Sequence, residues 1–194
     1  MLDTTDSDLA HLLPSLRGLV PVIQERYADE HRGYRLFVAE TRRTTEEQAR
    51  RFADGSTRCD GVRRFSMHNF PVSYAVDLWV QEDVATWRVT WAMRHYDNLG
   101  AIIHDLAAEG HAIEWGGGFR GFYDGPHVQV TKAVLHADLQ RSLTSAGYPL
   151  VADGVWGLRS RTAARAFTHS DDGRASPALF AELATQGHMV DVLG

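Results

Sequence analysis

The run Tyr74-Ala-Val-Asp-Leu-Trp-Val80 places a carboxylate in the middle of an otherwise apolar strand pattern. Such a run reads as a buried strand, and a buried, unpaired carboxylate is too costly to stand alone. The fold must bring Asp77 a cation, a set of hydrogen-bond donors or a metal ion. Two other polar segments could meet it. Ser66-Met67-His68 closes a polar loop upstream, and Asp124-Gly125-Pro126-His127 enters another strand pattern downstream. Two imidazoles and one carboxylate are ordinary ligands for a zinc-like ion and leave a fourth position to water. Such an ion lowers the pKa of its water to about 7, and an unligated carboxylate must then move the proton. Asp124, three residues before His127, is placed for that. Spacing alone leaves blander readings open. A histidine entering a strand is commonly a polar edge residue, and the nine-residue step from His68 to Asp77 fixes no geometry.

Local patterns supply the frame. Leucines and valines from Asp8 to about His31 recur at helical steps; Pro14 and Pro21 predict either two pieces or a helix starting at Pro14. Tyr34 to Thr41 reads as a strand. Thr44 or Thr45 caps a helix from Glu46 to Ala53, and 54–67 is a polar loop. Asp83 to about Glu109 is predicted as one long helix that includes Trp87 and Trp91, stopped by Gly110. Ala112 to Trp115 and His127 to Thr131 are strands, with Gly116-Gly117-Gly118 as a turn between them. The order predicts an α+β domain, with a small antiparallel sheet and helices on one side. From Ala133 the pattern becomes short helices (134–146, 159–167 and about 177–186) around a turn-rich connector. Domains are expected at 1–132 and 133–194.

Composition narrows the function classes. The chain has 194 residues and a formal net charge of −5, a poor match to nucleic-acid binding, which needs a cationic footprint. A single cysteine, Cys59, excludes an internal disulfide and a cysteine-rich zinc site. No apolar run is long enough to serve as a membrane anchor. The acidic start Met1-Leu-Asp-Thr-Thr-Asp lacks the basic, then apolar, character of a secretory signal.

Taken in order, Ser66-x-His68, Ala75-Val76-Asp77, Glu114-Trp115-Gly116-Gly117 and Asp124-x-Pro126-His127 resemble the zinc peptidases of the D-Ala-D-Ala carboxypeptidase and L-alanyl-D-glutamate endopeptidase group. Many phage endolysins and cell-wall endopeptidases belong to it. Leu13-Pro14-Ser-Leu16, Arg43-Thr-x-Glu46-x-Gln48 and the stretch from Trp91 to Gly110 extend the resemblance over about residues 10–131. It implies a hedgehog-like α+β fold and one zinc ion held by His68, Asp77 and His127. It also implies Asp124 as general acid and base, and Arg43 as a holder of the substrate carbonyl or oxyanion. Ser66, Glu114 and Trp115 would orient ligands or position substrate. This chain departs from the family pattern in three places. The step from His68 to Asp77 is two residues longer and lacks the usual glycine, so the intervening loop must bulge near Pro71. Gly118-Phe119 stands where Asp-Trp is common, and Val128 where an aromatic is common.

Downstream, Leu139-Gln140, Gly147-Tyr148, Asp153-Gly154-Val155-Trp156-Gly157 and Thr162-Ala163 resemble a small helical peptidoglycan-binding domain. The expected activity is hydrolysis of the L-Ala–D-Glu bond of bacterial peptidoglycan by a monomeric enzyme of the endolysin type. The alternatives are a D-Ala-D-Ala carboxypeptidase or dipeptidase with the same site, and a non-catalytic wall-binding protein with a degenerate site. Without a signal peptide, such an enzyme is made in the cytoplasm and reaches the wall through a lysis protein or a secretion machine.

Overall fold

A computed structural model describes residues 6–82, 88–189 and 192. The chain divides into two compact units, Met1–Arg43 with Ser73–Val130, and Thr44–Val72 with Thr131–Gly194.

The first unit is α+β, as the element order predicts. Helix α1 (Pro14–Glu30) begins at the first proline, whose fixed φ suits a helical first turn. Pro21 lies inside it on an exposed face, and the helix continues through. Strands β1 (Tyr34–Glu40), β2 (Ala75–Glu82), β3 (Arg88–Val89), β4 (Ile113–Trp115) and β5 (His127–Val130) form one antiparallel sheet. Its order is β1-β2-β5-β4, with β3 added to the end of β2. Helix α3 (Met93–Ala108) completes the unit, whereas α2 (Thr45–Ala53) belongs to the other.

Strand alternation sorts the two faces of the sheet. Val76, Leu78 and Val80 of β2 and Val128 and Val130 of β5 are buried in a core shared with Leu16, Val20 and Ile23 of α1 and Leu99, Ile103 and Leu106 of α3. Each such side chain contributes about 1.5–3 kcal/mol on burial. The other face carries Asp77, His127 and Gln129. Ser73 fixes the start of β2: its Oγ donates to the carbonyl of Thr41 at 2.6 Å, and its backbone bonds His11 and Leu13 at 2.7 and 2.8 Å.

One prediction is corrected. The helix expected from Asp83 begins at Met93 instead. Arg88 and Val89 pair with Glu82 and Gln81 as a short strand, and 83–87, with Trp87, lie outside the described residues. Pairing with the end of β2 takes Arg88 and Val89 out of the expected helix. Trp91 is 60% exposed and meets Trp79 edge to face at 5.2 Å.

The second unit holds α2 (Thr45–Ala53), α4 (Lys132–Ser145), α5 (Leu158–Thr168) and α6 (Pro177–Thr185). The Thr44 side chain accepts from the Glu47 N–H at 3.1 Å, the expected cap of α2. Buried Gln140 of α4 holds the Asp153–Gly154 turn: its Nε2 donates to Asp153 Oδ1 at 2.9 Å, and its Oε1 accepts the Gly154 N–H at 3.0 Å. Gly154 takes φ +74°, and a Cβ there would lie 2.9 Å from Ala133. Trp156 donates to the Gly173 carbonyl at 2.8 Å and locks the connector. Among the described residues, no helix is long and apolar enough to cross a membrane.

Candidate metal centre

The centre is a row across three strands. Sheet register pairs Glu40 of β1 with Asp77 of β2, and Asp77 with His127 of β5. The register of β1 shifts between Val38 and Glu40, a bulge that brings Glu40 opposite Asp77. Two carboxylates facing each other across a sheet repel. Arg43, just past β1, resolves the conflict. Its Nε donates to Glu40 Oε1 at 3.0 Å, a second nitrogen bonds Glu40 Oε2, and the same nitrogen lies 3.7 Å from Asp77 Oδ2. Arg43 is 7% exposed and Glu40 3%, so this is a buried ion pair. Burial disfavours the guanidinium's charge, but Glu40, Asp77 and Asp124 outweigh it and raise its pKa further.

His127 is buried, with both ring nitrogens engaged. Nε2 lies 2.8 Å from Gln129 Oε1, and Nδ1 3.0 Å from Asp77 Oδ1. The amide of Gln129 is oriented in turn, because its Nε2 donates to Glu114 Oε1 at 2.5 Å. Gln129 Oε1 can therefore only accept, which fixes the proton of His127 on Nε2. Nδ1 then presents a lone pair to a carboxylate oxygen, an arrangement that demands a cation between them. A proton meets the demand in one way. Burial opposes it, yet Asp77, Asp124 and Gln129 push the His127 pKa up to about 9. A metal ion meets the same demand, and Gln129 then serves as the outer partner that metal-bound histidines commonly have.

The loop histidine has its own support. His68 is buried in the turn Met67–Asn69, whose start is capped by Ser66 and Asn69 reciprocally. Ser66 Oγ accepts the His68 N–H at 3.3 Å and so helps hold the turn that carries His68. His68, Asp77 and His127 each offer a ligand atom, all within 4.8 Å of one another, and this group could hold a metal ion. The donor set suits a borderline divalent ion such as zinc.

The Glu114-Trp115-Gly116-Gly117 turn positions the remaining residues. A Cβ on Gly116 would sit 2.6 Å from the Asp124 carbonyl and 2.8 Å from His127 Cβ. Only glycine lets these segments approach so closely. Trp115 Nε1 donates to the Gly125 carbonyl at 2.7 Å and pins the loop that carries Asp124. The Asp124 carboxylate is near enough to act electrostatically on both Arg43 and His127. Sequence reasoning missed two members of this network. Glu40 could have been suspected as a carboxylate three residues before an arginine at a strand end, and Gln129 as the next same-face residue after His127.

No protein-family model and no curated protein matches the chain. Among solved structures, the L-Ala D-Glu endopeptidase ChiX of Serratia marcescens is similar, at 24% identity and a TM-score of 0.43, over 67% of this chain and 92% of that one.

Proposed function

We propose that the chain is a zinc-dependent peptidoglycan endopeptidase that hydrolyses the L-Ala–D-Glu bond of the stem peptide. The observation that carries this reading is the convergence of His68, Asp77 and His127, with Asp124 and Arg43 acting on the same charges. A zinc ion bound there would polarise the scissile carbonyl and acidify a bound water. Asp124 would act as the proton carrier, accepting a proton from the attacking water and donating it to the leaving amine. Arg43, already fixed by Glu40, holds positive charge where the carbonyl oxygen becomes negative. Glu114 acts through Gln129 on His127, and Trp115 holds the loop of Asp124. The choice of the L-Ala–D-Glu bond rests on the resemblance of the arginine segment and the Glu-Trp-Gly-Gly turn to the endolysin branch. The C-terminal helices would form a wall-binding domain, which keeps the enzyme on an insoluble substrate. An endolysin-type role, with release to the wall by a lysis protein, completes the reading.

The test is Asp124→Ala. It abolishes turnover, by about 100-fold or more for a lost acid–base group, and leaves the zinc stoichiometry at one per chain. Retained turnover contradicts the assignment of the base. Lost zinc contradicts the separation of base from ligands.

A further inference from the structure

The second unit contains a cleft of about 730 Å³ that the proposed reaction does not use. This lies within the usual range of small-ligand sites. In a chain of net charge −5, it gathers six cations, Arg63, Arg64, Lys132, Arg161, Arg165 and Arg174, against two lining carboxylates, Asp171 and Asp172, with a third, Asp60, acting on Arg63 and Arg174 from the adjoining loop. Among the described residues, only one of the six is in a carboxylate pair: Arg174 grips Asp172 with two bonds of 2.8 Å. Among the same residues, the side chains of Arg63, Arg64, Lys132 and Arg161 make no ion pair or hydrogen bond, and all four are exposed. Like charges gathered this way repel, so the arrangement is unfavourable until an anion enters.

The cleft is also held in shape. Asp60 Oδ1 accepts the backbone N–H groups of Val62, Arg63 and Arg64 at 2.8, 2.6 and 2.9 Å, and these bonds hold its pKa down at about 2. Arg174 donates to the Val62 and Arg63 carbonyls at 2.9 and 3.2 Å and lies over the Phe65 ring at 5.2 Å. A Cβ on Gly173 would lie 2.7 Å from the Arg161 carbonyl, so the turn that carries Asp172 packs directly on α5. Trp156, which lies 5.7 Å from His136, adds a flat aromatic surface beside the cations. Guanidinium forks select oxyanions, and an aromatic face suits a sugar or polyol chain.

We propose that this cleft binds an oxyanion-bearing saccharide or polyol chain, with guanidinium groups on its phosphates or carboxylates and Trp156 against its backbone. That such a chain would be a wall polymer rests on the function proposed above; the binding itself does not. The experiment is equilibrium binding to the full-length protein by calorimetry. One arm uses a short poly(glycerol phosphate), one a soluble muropeptide with free carboxylates, and one a thymidine oligonucleotide of matched charge. The variant is Lys132→Glu with Arg161→Glu. Both positions lie in first helical turns, where an acidic residue is tolerated, and unfolding by heat checks that the fold is kept. The expected result is binding in at least one of the first two arms, weaker at higher salt and weakened about tenfold or more in the variant. The arm that binds identifies phosphate or carboxylate as the recognised group. Binding in neither arm, equal binding in the variant, or equal binding of the oligonucleotide overturns the proposal. None of these readouts depends on turnover or zinc, so failure here is distinct from failure of the proposed function.

Discussion

At the scale of single residues, the candidate centre is a problem in charge placement. Register sets Glu40 and Asp77 opposite each other, and Arg43 is the cation between them. Arg43→Ala would leave two carboxylates facing across a sheet, one of them almost fully buried. Breaking a buried pair from one side costs about 3–5 kcal/mol, and urea unfolding should show a loss of that order; a change under about 1 kcal/mol, the scale of an exposed pair, contradicts this account. Gly116 is the steric counterpart. An alanine there must displace the Asp124 carbonyl or His127, because 2.6 Å to a backbone atom leaves no slack. Gly116→Ala is expected to lower hydrolysis of peptidoglycan about tenfold or more, in line with the sensitivity of catalysis to small misplacements. Wild-type rates would show that the turn tolerates a side chain.

At the scale of elements, most of the frame is legible in the sequence, and the reasons for the misses are physical. The strand at 75–82 is readable because its apolar run is too short and too continuous for an amphipathic helix. The start of α1 is readable because Pro14 is a poor interior residue and a good first one. The bulge in β1 is not, since nothing in Tyr34 to Glu40 signals an extra residue; with it goes the pairing of Glu40 and Asp77. The expected long helix fails at Arg88 and Val89, because pairing with Glu82 and Gln81 of β2 overrides the helical pattern there. In the candidate site, the motifs point to His68, Asp77 and His127, which the structure brings together, and to Asp124, the proposed base; they do not point to Gln129, because a strand's same-face neighbour carries no motif of its own. The Asp60 loop gives a test at this scale. Its carboxyl pKa is depressed to about 2 by three backbone donors. A depressed folded-state pKa stabilises above the unfolded value near 4, and that contribution is lost as pH falls through the folded pKa. The Asp60 carboxyl resonance should therefore titrate near pH 2, and the loop amides should lose protection between about pH 4 and 2. A midpoint near about 4, the ordinary aspartate value, contradicts the hydrogen-bonded clip.

At the scale of the whole molecule, the chain combines an α+β unit with a helical unit that also includes residues 44–72. Periodicity and capping are local signals, and no local signal reports that 44–72 packs with the C-terminal helices. At this scale stands the proposed activity, a zinc-dependent cut in the stem peptide of peptidoglycan. The measurement is mass spectrometry of purified peptidoglycan digested by the full-length protein loaded with zinc, then repeated with a chelator. New D-Glu amino termini are expected, vanishing with chelator and returning when zinc is restored. Release of D-Ala alone, or no new termini from zinc-loaded protein, contradicts the proposed activity.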